Sequence, residues 1–437
     1  MWFDLEQALR TVAAFASLGL VMTCSSRGTW QEPQAPAKPV AAKSSSSAPP
    51  PVASAPASSE AVAPAEPPAH ALVAEPESLS LEHFYAALAA LEKGQRDDHV
   101  RILWLGDSHT AADYLSDRLR RALQQRFGSG GPGFVRVGLG TYRHTGIKVA
   151  RDGPWRIEPN PPPRRSRQDD GVFGLGGLRA VAEASAHAHL ELTGGERQGA
   201  VRFEVLYDVA PRASLEVKLG EKRELVGDRQ GSPPIRRFTI EGDGVNSLDL
   251  TAQGGTVKVW GVVIERPKPG VVLDTAGIDG ARIATALAWD KDAFVREVAA
   301  RKPDLGVIAY GTNEAFDAGR VDQYQTELTE LVGRLRAARP GLDCVILGPP
   351  DAGTSDGGSP ERLGAIEIVQ REAARTLGCG FFSQRAFMGG AGSYWQWLRE
   401  TPPLARPDRL HFSPKGYETL GDGFANAVLA AYDARKR

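Results

Sequence analysis

The chain has 437 residues and only three cysteines, Cys24, Cys344 and Cys379. An odd number without metal-ligand spacing excludes a zinc-ribbon type of site and argues against a disulfide framework. Cys344 and Cys379 lie in apolar runs and read as plain buried residues. The chain also lacks a surplus of either charge: its formal net charge is -1, which gives no reason to expect a polyanion, so nucleic acid is not an expected partner. The apolar run near the amino terminus, Thr11–Thr23 (TVAAFASLGLVMT), is too short to span a bilayer comfortably. Histidine is scarce as well. There are eight, and after His189 only His411 remains, so any histidine chemistry in the C-terminal half falls to that residue.

A hydrophobic content of 42% over this length allows at least one large core, and two domains are plausible. Residues 1–24 read as an export signal. Its end, LVMTC, resembles a bacterial lipoprotein box with Cys24 as the lipidated residue, although Thr23 stands where Gly or Ala is usual. Residues 25–77 are Pro, Ala and Ser with almost no aromatic side chains, a tether unable to bury enough apolar surface to fold. Globular sequence begins near Ser78, where Phe84, Leu88 and Leu91 recur at helical spacing.

Two styles of sequence follow. Residues 78–136 and 268–437 alternate short apolar runs with amphipathic stretches: a strand at Val100–Leu105, a helix at Ala111–Phe127, a helix at Ala281–Ala300, a strand at Leu305–Tyr310 and further pairs, ending in a helix at Gly416–Ala434. This pattern predicts a parallel sheet covered on both faces. Residues 137–267 instead show period-two alternation, as in Val201, Phe203, Val205 and Tyr207, which predicts an inserted antiparallel sheet or sandwich.

Polar residues gather where strands should end. In WLGDSHTAAD, Ser108 sits on a strand-to-helix turn, where it could be a nucleophile or merely a helix N-cap. In LGVIAYGTNEAF, Asn313 could form the turn or donate its amide to an oxyanion. In TAGIDGARIAT, Gly277 and Gly280 precede a helix whose first N–H groups could do the same, or the glycines could only make the turn. In PDRLHFSPKG, Asp408 stands three residues before His411, as a carboxylate orienting a general base would, or as a surface pair. His187 and His189 share a strand face but show no third metal ligand, so they read as a solvated pair. Trp155 and Trp260 could stack on sugars or fill a core. The stretch PPPRRSRQDDG reads as a solvated basic loop.

The order of these blocks, GDS, then Gly before a helix, then G-x-N, then D-x-x-H before the last helix, resembles the GDSL/SGNH hydrolase superfamily. LGDSHTAADYLSDRLRRALQQRFGSGGPGF and YGTNEA are similar to the branch of bacterial peptidoglycan O-acetylesterases, which carry a carbohydrate-module-like insertion at the same place. The resemblance implies a flavodoxin-like three-layer α/β fold interrupted by a sandwich-like insertion. It implies Ser108 as nucleophile, His411 as base, Asp408 as its partner, and an oxyanion hole of the Ser108 N–H, the Gly280 N–H and the Asn313 amide, with no metal or other cofactor. His109 and Glu314 would support the turns. The substrate would be an O-acetylated glycan of the cell envelope, and the protein would be exported and tethered to a membrane through Cys24. The alternatives are an esterase or acyltransferase on another polysaccharide or small ester, and a carbohydrate-binding envelope lipoprotein without catalysis.

Overall fold

A computed structural model of the chain describes residues 81–435 except 161, 163–169 and 229–232. The export signal, Cys24, the tether and most of PPPRRSRQDDG lie outside the described residues. The run before Ser108 forms a strand, Val100–Gly106, buried along its whole length. It lies within a five-stranded parallel sheet ordered Val271–Gly277, Val100–Gly106, Leu305–Ala309, Asp343–Gly348, Gly380–Ser383. Counted along the α/β part of the chain this order is 2-1-3-4-5, the flavodoxin-like arrangement. Ile102 and Trp104 face one helical layer, which includes Glu82–Glu92, Tyr114–Phe127 and Pro414–Ala434. Leu103 and Leu105 face the other, with Lys291–Arg301, Val321–Ala338 and Glu361–Leu377. Burial on both faces explains why the strand reads as an unbroken apolar run rather than an alternating one.

Between the first and second strands of that sheet lie two antiparallel sheets. One holds six strands, including Ala200–Val209 and Val257–Glu265, and the other five, including His187–Leu192 and Ser247–Gln253. Alternate residues such as Val205, Val217 and Leu250 meet in a shared core, as the period-two pattern predicts. The first strand of this part, Gly133–Val135, pairs with Val257–Glu265, so the change of style begins slightly earlier than residue 137. At the junction, Glu265 is fully buried and accepts from Arg101 and Arg301, each at 2.9 Å. A carboxylate there would be costly without such partners.

Three expectations need correction. Cys344 and Cys379 are not free thiols but form a disulfide. One lies on Asp343–Gly348 and the other just before Gly380–Ser383, and the parallel pairing of these strands sets the two Cα atoms 4.7 Å apart. The helix expected at Ala281–Ala300 is two, Ile283–Leu287 and Lys291–Arg301, because the Asp290 carboxylate caps the second by accepting from the Ala293 N–H. The helix expected at Ala111–Phe127 is likewise divided into Ser108–Ala111 and Tyr114–Phe127 by Asp113, whose φ of 57° is left-handed.

Candidate active site

The sheet order brings three loops together. Ser108 follows Val100–Gly106, Gly280 follows Val271–Gly277 and Asn313 follows Leu305–Ala309, so all three stand at the carboxyl edge of adjacent strands, where ligands bind in open α/β sheets. The Ser108–Ala111 turn lies so close over those strand ends that only glycine fits beneath it. A Cβ at Gly106 would fall 2.2 Å from Thr110 Oγ1, and one at Gly277 would fall 2.4 Å from the Ala111 nitrogen. Gly277 is thus a packing residue at the strand end, whereas Gly280 makes the turn with a φ of 71°.

Ser108 is not the helix cap. That position belongs to Asp107, whose side-chain Oδ1 accepts from the His109 N–H at 2.9 Å. The Ser108 hydroxyl is free for another partner, and its Oγ lies 3.0 Å from His411 Nε2. His411 Nδ1 in turn lies 3.1 Å from Asp408 Oδ2. A carboxylate can only accept, so the Nδ1 proton is donated to Asp408 and Nε2 is left to accept from the serine. Partial burial pushes the Asp408 carboxyl up, but hydrogen bonds from the His411 and Leu410 N–H groups and the His411 ring outweigh it and hold the group below its usual range. The resulting chain can draw the proton from a serine attacking a carbonyl.

Ser108, Gly280, Asn313 and His411 line one open cleft, with Tyr114, Asp279, Arg406 and Tyr417 around them. Asn313 Nδ2 donates one hydrogen to the Ala281 carbonyl at 2.9 Å, which leaves its second N–H for a ligand. Glu314 ties the Gly280 and Asn313 loops together by accepting from the Ile283 N–H at 2.9 Å and the Gly311 N–H at 3.0 Å. His109 lies beneath the cleft, buried, with Nδ1 3.0 Å from the Tyr417 hydroxyl. Burial, with the neighbouring His411 charge, pulls its pKa down to about 3, so it stays neutral beside His411.

The other candidates fall elsewhere. His187 and His189 are not merely solvated, since both contact Asp249 Oδ1, at 3.1 and 2.7 Å. No group of three His, Cys, Asp or Glu side chains among the described residues is arranged to hold a metal ion. Trp260 is buried and donates to the Val172 carbonyl, while Trp155 is half-buried and donates to the Asp152 and His187 carbonyls.

Fold and site together are those of a serine esterase, and they are similar to the GDSL/SGNH hydrolases. Residues 240–419 match the model of the GDSL-like Lipase/Acylhydrolase family. The structure is similar over 81% of this chain, and 97% of the other, to a peptidoglycan O-acetylesterase, at 25% identity and a TM-score of 0.69. A lipase/acylhydrolase from Enterococcus faecalis shares 21% identity over 38% of this chain and 77% of its own, with a TM-score of 0.29. No curated protein sequence matches the chain.

Proposed function

We propose that this esterase removes O-acetyl groups from a cell-envelope carbohydrate, peptidoglycan before others. Ser108 attacks the acetyl carbonyl as His411 Nε2 takes its proton. The oxyanion that forms is held by the Ser108 and Gly280 N–H groups and the Asn313 amide hydrogen that Ala281 does not use. His411 then gives the proton to the departing sugar oxygen. Water, activated by the same imidazole, releases acetate from Ser108. Asp408 keeps the ring in the required tautomer throughout.

The observation that carries this reading is the Ser108–His411–Asp408 chain, set in a molecule similar along nearly the whole length of a peptidoglycan O-acetylesterase. We also propose export and a lipid tether at Cys24; the Cys344–Cys379 disulfide supports export, because such bonds persist in oxidising compartments. The test of function is acetate release from O-acetylated peptidoglycan by the protein and by Ser108→Ala, with acetyl-xylan alongside. Release from peptidoglycan that Ser108→Ala abolishes is expected. Release from acetyl-xylan alone would keep the esterase and discard the wall substrate, and transfer of the acetyl group to added glycan instead of water would make it an acyltransferase. For the tether, Cys24→Ala is expected to free the protein from membranes.

A further inference from the structure

We propose that Arg406 reads a carboxylate carried by the alcohol half of the substrate, so that the preferred ester is one whose acylated sugar bears an anionic group. This rests on the carbohydrate-ester reading above and specifies its substrate class.

The loop that carries the base is a short antiparallel ribbon. Ala405 bridges Phe412, and the Arg406 N–H donates to the His411 carbonyl at 2.9 Å. The register therefore sets Arg406 directly opposite His411, and directly opposed residues on such a ribbon project from the same face. Both line the cleft. Burial pushes the Tyr417 phenol in that cleft up, and the charge of Arg406 is a minor influence in the opposite direction.

Three other guanidinium groups around the cleft are already engaged. Arg143 lies over the Tyr114 ring and donates to the Ala112 carbonyl. Arg282 pairs with Asp317, and buried Arg136 donates to the Gly277 and Gly176 carbonyls. Arg406 is exposed, and its side chain has no hydrogen-bonding or ionic partner among the described residues.

Its position decides which half of the ester it meets. His411 must protonate the leaving oxygen, so the alcohol lies on the His411 side and the acetyl group on the Gly280 and Asn313 side. Arg406, opposite His411, meets the alcohol. On the acyl side the exposed Asp279 stands next to Gly280 and would repel an anion there. The cleft is thus polarised to orient a sugar with its negative group toward Arg406, whose planar fork suits a carboxylate.

The test compares kcat/KM for 6-O-acetyl-N-acetylglucosamine and 6-O-acetyl-N-acetylmuramic acid, which differ by a lactyl carboxylate. Two further arms carry the muramic carboxylate as its neutral methyl amide and as a dipeptide amide ending in a carboxylate. We expect the wild type to favour the carboxylate-bearing sugar by about tenfold or more. R406A should bring that ratio near unity, and R406K should keep part of it. Preference for the free muramic acid places the anion on the sugar, and preference for the dipeptide places it on an attached peptide; either supports the proposal. A ratio that R406A leaves unaltered overturns it while the esterase reading stands. Failure of the wild type to cleave any of these sugars, with an activated aryl acetate still hydrolysed, overturns the carbohydrate reading and this proposal with it.

Discussion

Asp107 and His109 flank Ser108 in the chain, yet both are buried beneath the cleft rather than facing it. Asp107 is buried, and burial pushes its pKa from 3.8 to about 7; the bond it accepts from the His109 N–H opposes the rise and the nearby Glu314 charge adds to it. Glu314, also raised to about 7 by burial, makes the pair a store of protons under the site. The direction of the effect on stability follows from proton counts. Between about pH 4 and pH 7 the folded chain holds a proton on Asp107 that the unfolded chain releases, so stability is lost as pH rises through this window. Asp107→Asn keeps the capping oxygen and removes the titration. Its stability should therefore decline less steeply over this range, by up to about 1.4 kcal/mol per pH unit. Urea midpoints of both proteins from pH 4 to pH 7.5 check this, and parallel curves would show that Asp107 does not titrate there.

At the scale of elements, the site depends on how closely the Ser108–Ala111 turn lies on the sheet. Gly277→Ala would put a methyl 2.4 Å from the Ala111 nitrogen, where the contact is backbone and cannot swing aside. We expect a loss of about 1–3 kcal/mol in stability, as for overpacked cores, and, on the proposed mechanism, a fall in kcat larger than any rise in KM because Ser108 is displaced. Wild-type values for both would mean that the turn can move freely. This contact also marks what the sequence could convey. The strands are legible because burial on both faces leaves continuous apolar runs, and the polar residues at their ends stand out against them. The breaks in the helices at Asp113 and Asp290 are not, because each depends on a carboxylate finding its partner. Asp290 caps locally, whereas Asp113 accepts from Thr275 and Thr145, far away in the chain. Arg406 is not legible for the same reason: nothing in LARPDRLHF distinguishes an engaged arginine from a free one until the ribbon register is known.

The whole molecule separates stability from chemistry along the sheet axis. The loops that carry Ser108, Gly280 and Asn313 occupy the carboxyl edge, while the Cys344–Cys379 bond lies near the amino ends of Asp343–Gly348 and Gly380–Ser383. Its two cysteines are 35 residues apart, and the count of three in the chain obscured them because Cys24 has no part in the pair. Cross-linking across such a loop stabilises mainly by restricting the unfolded chain, typically by about 2–4 kcal/mol. Replacing both cysteines by alanine should therefore lower the unfolding free energy by about that amount, read as a lower urea midpoint, while kcat at 25 °C stays within about twofold of wild type, since the bond is remote from the cleft. Reductant supplies the control: it should lower the midpoint of the wild type toward that of the variant and leave the variant where it was. If reductant moves both alike, or if kcat falls together with stability in the variant, the amino edge of the sheet is coupled to the edge that carries Ser108, and stability and chemistry are not separated along the sheet.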